Sequence, residues 1–255
     1  MLESPNSGSL EGKAHVIVQL AEAVDHLVID EGQEFATNCY EALGKSFATR
    51  QTGLTLFHDL NQLGSSYKAG DVKRYEHRLS TWDRAMRAIP GATAIELCIN
   101  YRNSREIADY YFTVLSDALP KPLKSEVPVF GSGEVITLRT KDTNQVAVLI
   151  ADIVNKLRAD YSYSNIGVIC LTGGPNNNSV ARCLAEFGVP VSTELDGKEA
   201  VLVTVPKVIR GHERKAVIVC APAQGLASEK VGKAINSYIA LSRARDRLVV
   251  IEIEG

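Results

Sequence analysis

The chain has 255 residues, of which 45% are hydrophobic and 23% are charged, and its formal net charge is −2. This composition is ordinary for a globular protein, and it excludes a chain that attracts nucleic acid through overall positive charge. No apolar run approaches the roughly 20 residues that cross a bilayer, and no basic-then-apolar export signal precedes the first strand. We therefore expect a cytoplasmic protein without membrane contact.

Five cysteines and five histidines are scattered singly along the chain. An odd number of cysteines without a CxxC pair predicts reduced, buried thiols. Neither residue type shows the spacing of metal ligands, so no metal site built only from these side chains is predicted.

Short apolar runs alternate with segments of helical periodicity. Continuous apolar runs are typical of strands that are buried on both faces of a parallel sheet. Strands are predicted at 26–30, 54–59, 94–99, 166–171, 200–204, 216–221 and 248–253. Helices are predicted at 104–117, 143–158, 178–187 and 229–241, with a capping box from Asn103 to Glu106 and an N-cap at Ser228. The alternation predicts an α/β fold with right-handed crossovers.

A stretch that is rich in Pro, Gly and Ser interrupts this alternation at 120–133. Such composition is typical of a boundary between two compact units. We therefore predict a first domain over 1–119, a linker over 120–133 and a second domain over 134–255.

The run HLVIDEGQEF at 26–35 places two acidic residues directly after a strand. One carboxylate can hold Mg²⁺ through water and the next can polarise an attacking water, which is the pair that a nucleotide hydrolase needs. With Gln33 and Glu34 the run reads D-E-x-Q-E. It resembles the D-E-x-Q-D motif of the UvrD/Rep-like (PcrA-like) superfamily 1 DNA helicases.

Four later blocks resemble motifs of the same family and follow in the family's order. They are LTLFHDLNQ at 54–62, LCINYRNS at 97–104, TVPKVIRGHE at 204–213 and YIALSRARDRL at 238–248. The blocks depart from the family at several positions: His58 replaces a glycine, Arg210 replaces a lysine, and Pro206 lies near the place of a histidine. The blocks at 97–104 and 204–213 also carry one extra residue each. The resemblance implies the P-loop NTPase fold, with an incomplete first RecA-like domain followed by a second RecA-like domain.

The resemblance also implies roles for individual residues around ATP and Mg²⁺. The implied catalytic residues are Asp30, which would also hold Mg²⁺, Glu31, Gln62, Arg102 and Arg243 as an arginine finger. The implied nucleotide-binding residues are Gln33, Tyr101, Gly211 and Glu213. Arginine suits a phosphate because its planar fork keeps its charge and can hold two oxygens.

Single-stranded DNA is the partner that the resemblance implies, through Tyr67, Lys68 and Thr204. Tyr67 would stack on a base, although Ser65 occupies the place of a second aromatic residue of the family. Base stacking on an aromatic ring is worth about 1–3 kcal/mol. The alternative for Tyr67 is a surface tyrosine without a ligand.

The phosphate-binding loop G-x-x-x-x-G-K-[ST] of the family has no good match in the sequence. The nearest candidate, at 7–14, lacks the first glycine and carries Ala14 where a hydroxyl would bind Mg²⁺. We interpret it as part of an N-terminal tail. Loss of such a preorganised cradle should cost several orders of magnitude in rate, so weak ATP binding and inefficient hydrolysis are expected.

Two functional hypotheses follow from these motifs. In the first, the chain is a portion of an ATP-dependent DNA helicase or translocase whose phosphate loop lies on a missing N-terminal segment or a partner chain. In the second, it is a non-enzymatic pseudo-helicase that binds single-stranded nucleic acid or a partner protein. An unrelated α/β nucleotide-binding enzyme with chance motif matches is a third, weaker alternative.

Overall fold

The computed structural model describes most of the second half of the chain and selected parts of the first half. The described residues are 24–34, 39–41, 43–44, 53–62, 76, 79–80, 83, 86–87, 89, 91–97, 99–117, 126, 133–142, 145–171, 176–222, 226 and 231–254. The chain divides into two compact units, one formed by 1–64 with 73–96 and the other by 65–72 with 97–255. No helix in the described part of the chain is long and apolar enough to cross a membrane.

The first unit contains a two-stranded parallel sheet. Strand β1 (His26–Ile29) pairs with β2 (Gly53–Leu56) in a register that runs from His26 opposite Gly53 to Ile29 opposite Leu56. A short 3-10 turn follows each strand, at Gly32–Glu34 and at Leu60–Gln62. Because the strands are parallel, both turns lie at the same edge of the sheet.

A six-stranded sheet forms the centre of the second unit. Its strands are β3 (Glu134–Thr140), β4 (Ile166–Cys170), β5 (Val191–Ser192), β6 (Val201–Thr204), β7 (Arg214–Pro222) and β8 (Ala244–Ile253). Their order across the sheet is β3-β8-β7-β4-β6-β5, and every pairing is parallel. Since β7 and β4 lie at the centre, their apolar runs have neighbours on both sides.

Helices cover both faces of this sheet. They are α1 (Arg105–Ser116), α2 (Val146–Leu157), α3 (Asn177–Glu186) and α4 (Val231–Leu241). In β7, Ile218 and its alternate neighbours pack with α2 and α3, whereas Val217 and Val219 pack with α1 and α4. Side chains of a strand point alternately to the two faces, so a continuous apolar run is the expected sequence for a strand with a core on each side.

The α/β fold with parallel sheets that the sequence predicts is confirmed, as are the four predicted helices. One predicted strand is wrong, and the strands β3 and β5 were not predicted. The described residues of 94–99 form no strand: Ile95 and Leu97 are exposed, and Ile99 makes one isolated bridge with Glu126. Strand β3 was not predicted because it lies at the sheet edge, where its half-buried pattern replaces the continuous apolar run of a central strand.

Helix α1 packs in the second of the two compact units. It contributes Ile107 and Tyr111 to the core on one face of the six-stranded sheet. The compact units divide between Glu96 and Leu97, whereas the linker predicted from the sequence is 120–133. Most of that predicted linker lies outside the described residues.

The start of α1 also differs from the predicted capping box. The N-cap is Ser104, whose Oγ accepts a hydrogen bond from the backbone N of Ile107 at 3.4 Å. Asn103 is therefore free to use its side chain elsewhere, as described below. The predicted N-cap Ser228 lies outside the described residues.

Four cysteines fall in the described part of the chain: Cys39, Cys170 and Cys220 are buried and Cys183 is partly exposed. Cys98 lies outside it. Cys170 and Cys220 are direct partners in the β4–β7 register.

Helix α2 offers a matched test of the core. Ile150 is fully buried against the sheet, whereas Val148 is about half exposed on the opposite face. We expect Ile150→Ala to lower the free energy of unfolding by about 2–5 kcal/mol, because it removes buried methyl groups and leaves a cavity. Val148→Ala should change it by less than about 0.5 kcal/mol. Urea unfolding followed by circular dichroism measures both; equal losses would contradict this packing.

Candidate functional site

Two acidic residues form a tight turn directly after β1. Asp30 is exposed, and its Oδ1 accepts a hydrogen bond from the backbone N of Glu31 at 2.8 Å. Glu31 has a φ of 51°, in the left-handed region, which costs of order 1 kcal/mol or more for a residue with a side chain. The turn is fixed because the N of Gly32 donates to the carbonyl of Phe57 at 2.8 Å, beyond the end of β2.

Gln33 joins this acidic turn to the turn after β2. Its Nε2 donates to Glu31 Oε2 at 2.5 Å, and its Oε1 accepts from the backbone N of Asp59 at 3.0 Å. Gln33 is buried. The resemblance assigns Gln33 to nucleotide binding. In this structure both its Nε2 and its Oε1 are hydrogen-bonded within the first unit, and the bond from Nε2 orients Glu31.

Gln62 carries an unsatisfied acceptor. Its Nε2 donates to Asp59 Oδ2 at 2.8 Å, whereas its buried Oε1 has no hydrogen-bond partner among the described residues. An unpaired buried polar atom costs about 1–3 kcal/mol. Gln62 Oε1 is therefore able to accept a hydrogen bond from a bound water or from a donor group of a ligand.

Two aromatic side chains surround these turns. The phenol of Tyr40 is buried and donates to the carbonyl of Gly32. Burial raises the pKa of Tyr40, so the phenol stays protonated and remains a donor. Burial also lowers the pKa of His58, more than the nearby Asp59 raises it, and this favours the neutral imidazole at the position where the family has glycine.

In the second unit, the loop before α1 presents Arg102 on a fixed backbone. Asn100 Oδ1 accepts from the backbone N of Arg102 at 2.9 Å and from that of Asn103 at 3.2 Å. Asn100 Nδ2 donates to Tyr111 Oη at 2.6 Å. An asparagine side chain that accepts hydrogen bonds from backbone N–H groups two or three residues further on forms such a turn outside any helix or strand.

Asn103 fastens this loop to the segment between α4 and β8. Its Nδ2 donates to the carbonyl of Ser242 at 3.0 Å and to that of Ala244 at 2.5 Å. The backbone N of Ser104 donates to the carbonyl of Arg245 at 3.2 Å. The sequence blocks at 97–104 and 238–248 therefore meet through buried hydrogen bonds.

The block at 204–213 joins them through Glu213. Glu213 Oε2 accepts from Arg102 Nε at 2.9 Å, and Glu213 Oε1 accepts from Arg245 Nη1 at 3.1 Å. We call Arg102, Glu213 and Arg245 the ion triad. Its side chains are between 37% and 48% exposed, so each ion pair contributes about 1 kcal/mol or less to stability.

Arg243 takes a different place from the one that the resemblance implies for an arginine finger. It is only 2% exposed. Its Nε donates to the carbonyl of Ile239 at 2.9 Å, its Nη1 to the carbonyl of His212 at 3.4 Å and its Nη2 to Ser242 Oγ at 3.1 Å. In this structure Arg243 ties the end of α4 to the segment before β7.

The other residues singled out from the sequence differ in exposure. Tyr101 is 75% exposed, which suits a ring that stacks on a base, whereas Thr204 is buried at the end of β6. Gly211 has a φ of 73°, in the region that favours glycine, so its place in the motif is explained by the backbone. Tyr67 and Lys68 lie outside the described residues.

Arg245 is the residue that sequence reasoning missed. It lies two positions after the expected finger, in a run of three alternating arginines. No periodicity separates the two: Arg243 lies before β8 and is buried, whereas Arg245 is the second residue of β8 and is exposed. The ion triad lies next to the amino-terminal ends of β7 and β8.

A magnesium ion would find one suitable ligand in the first unit. Within the described ranges, no three His, Cys, Asp or Glu side chains are arranged to hold a metal ion. Mg²⁺ bound with a nucleotide usually uses only one or two carboxylates, with water and phosphate oxygens as its other ligands. The exposed carboxylate of Asp30 fits that limited role.

Comparisons with known proteins find a likeness among solved structures. No protein-family profile matches the chain, and no curated protein is detectably similar to it in sequence. Among solved structures, it is similar to the C-terminal domain of a possible DNA helicase from Lactobacillus plantarum WCFS1. The two are 16% identical, the match covers 61% of this chain and 89% of that chain, and the TM-score is 0.43. The function proposed below therefore rests on the chain's own residues.

The side-chain amide of Asn103 provides a test of how the candidate site in the second unit is assembled. We expect Asn103→Ala to lower the free energy of unfolding by about 1–3 kcal/mol, because it leaves the buried carbonyls of Ser242 and Ala244 without their donor. Asn178→Ala, at an exposed position in α3, is the matched control and should have little effect. Thermal or urea unfolding compares the two; a neutral Asn103→Ala would show that this amide does not hold the loop.

Proposed function

We propose that the chain supplies nucleotide- and DNA-binding elements of a UvrD/Rep-like superfamily 1 DNA translocase. That class of protein couples ATP hydrolysis to movement along single-stranded DNA. The sequence contains no matching phosphate-binding loop, so we expect efficient turnover only where another segment or chain provides one.

The observation that carries the proposal is the convergence of sequence blocks that lie far apart. Arg102 and Glu213 are separated by 111 positions, and Asn103 and Ser242 by 139, yet both pairs are joined directly. Chance matches to short motifs have no reason to meet in space. These blocks meet next to the amino-terminal ends of β7 and β8, with the guanidinium groups of Arg102 and Arg245 exposed there.

The first unit supports the proposal independently. Its blocks at 26–35 and 54–62 meet through Gln33, which bonds Glu31 in one block and Asp59 in the other. Asp59 in turn accepts from Gln62, whose Oε1 has no partner among the described residues. A carboxylate and an amide oxygen are the groups that would orient a water for attack on a phosphate. Mg²⁺, when bound with ATP, would supply charge neutralisation of the phosphates, and Asp30 is the residue that would hold it.

In the second unit, each proposed role uses a group that is exposed. Arg102 would hold phosphate oxygens, since its fork has donors beyond the one bonded to Glu213. The ring of Tyr101 would pack on the adenine. Glu213 would accept from a ribose hydroxyl, a bond that a carboxylate oxygen can make.

One observation favours the alternative, a non-enzymatic protein that binds single-stranded nucleic acid. Arg243 is buried and donates to its own unit, so the charge that would stabilise the transition state is not presented in this structure. The two alternatives differ in turnover. DNA-stimulated ATPase activity that Arg243→Ala abolishes would eliminate the non-enzymatic one.

Nucleotide binding by the purified chain tests the proposal. We expect weak binding of a fluorescent ATP analogue, and about tenfold weaker binding by Arg102→Gln, because one charge-assisted contact is lost. Arg139→Gln is the matched control, since Arg139 Nε pairs with Glu252 Oε2 at 2.8 Å in the same sheet. Fluorescence anisotropy measures both. Equal affinities for all three proteins would remove the nucleotide from the proposal.

Single-stranded DNA binding is tested separately through Tyr67. We expect Tyr67→Ala to weaken binding of a labelled oligonucleotide by the value of one stacked base, about 1–3 kcal/mol, and to leave ATP-analogue binding nearly unchanged. Tyr163→Ala removes a tyrosine that is stacked under Arg158 at 4.1 Å, and serves as the control. If Tyr67→Ala lowers both affinities equally, or neither, the placement of Tyr67 is wrong.

A further inference from the structure

We infer that Arg245 is a second phosphate-binding residue, and that Glu213 is an internal counterion which releases Arg102 and Arg245 to an incoming polyphosphate. The inference rests on the proposed function only for the identity of that polyphosphate as part of a nucleotide. The exchange itself follows from the contacts of the ion triad.

Each arginine of the triad uses only a small part of its donor capacity. A guanidinium has five N–H donors. In the described part of the chain, the side chain of Arg102 donates through Nε alone and that of Arg245 through Nη1 alone, both to Glu213. Most N–H donors of these two neighbouring guanidinium groups therefore remain available for phosphate oxygens.

The charges of the triad favour an anion. Two guanidinium groups face one carboxylate, which leaves one positive charge uncompensated within the triad. A third arginine adds to this surplus, since Arg214 Nη1 donates to the backbone carbonyl of Glu213 at 2.9 Å. A polyphosphate carries several negative charges and three or more oxygens, so it can replace the single carboxylate on both forks.

The ion pairs are weak enough to exchange. All three side chains are more than a third exposed, and exposed pairs contribute little free energy because water and salt screen them. A buried pair would resist such an exchange, because breaking it would leave an uncompensated charge away from water.

Only side chains need to move during the exchange. Asn100 fixes the backbone of Arg102, Ser104 bonds the carbonyl of Arg245, and Arg214 bonds that of Glu213. Donors on a fixed backbone bind an anion with little cost of ordering. Glu213 is thus a positioning residue: it holds the two guanidinium groups near each other, against their mutual repulsion, until a ligand takes its place.

The test compares the affinity for inorganic tripolyphosphate of four variants with that of the unaltered chain, by calorimetry at constant ionic strength. We expect Glu213→Gln to bind about tenfold more tightly, because a competing and repelling carboxylate is gone. Arg245→Gln should bind about tenfold more weakly, the effect of one charge-assisted contact. Arg245→Lys, which keeps the charge, should recover much of that loss. Arg139→Gln, from the pair at β3 and β8, should equal the unaltered chain.

Three results would overturn the inference: tripolyphosphate affinity that is unchanged or reduced in Glu213→Gln, affinity that is unchanged in Arg245→Gln, or no binding by any of the proteins. Circular dichroism reports whether each variant is folded. If Glu213→Gln does not fold, the comparison of Arg245→Gln with Arg245→Lys decides. If Arg245 had only a structural role, the two variants would bind tripolyphosphate with the same affinity.

The failure of this inference and that of the proposed function have different signatures. Tripolyphosphate binding that depends on Glu213 and Arg245, without preference for ATP and without binding of single-stranded DNA, would leave the exchange intact and remove the proposed function. ATP binding that depends on Arg102 but not on Arg245 would leave the proposed function and remove the exchange.

Discussion

The amide of Asn103 is the contact on which the arrangement of the second unit's site depends. By donating to two carbonyls between α4 and β8, it brings the loop that carries Arg102 to the start of the strand that carries Arg245. Without this clamp the loop would be connected to the sheet chiefly through α1. An anion site made of long, flexible side chains needs such a fixed backbone, because the side chains themselves supply no rigidity.

The sequence predicts the fold well where burial leaves a clear pattern. Strands β4, β6, β7 and β8 are apolar on both faces, so their runs are continuous and easily recognised. Strand β3 lies at an edge of the sheet and is only half buried, so it has no continuous apolar run by which it could be recognised. The segment 94–99 has the same apolar run without a sheet around it, because an apolar run specifies a preference for burial and not the neighbour that would satisfy it.

The candidate site is predicted in part, for a similar reason. Motif positions identify Arg102 and Glu213, and the structure brings these two together. The motif does not tell which of the arginines after α4 is exposed, since that depends on the carbonyls available to Arg243 from Ile239 and His212. Arg245 and the clamp by Asn103 therefore needed coordinates, because both are long-range contacts that leave no local periodicity.

The left-handed backbone of Glu31 has a consequence for how this protein could evolve. Glycine at that position would relax the turn, but it would also delete the carboxylate that Gln33 orients and leave the buried Gln33 Nε2 without its acceptor. Relief of the backbone strain and retention of the acid thus oppose each other at a single residue. Substitutions that relax this turn are therefore closed to any lineage that still needs the acid.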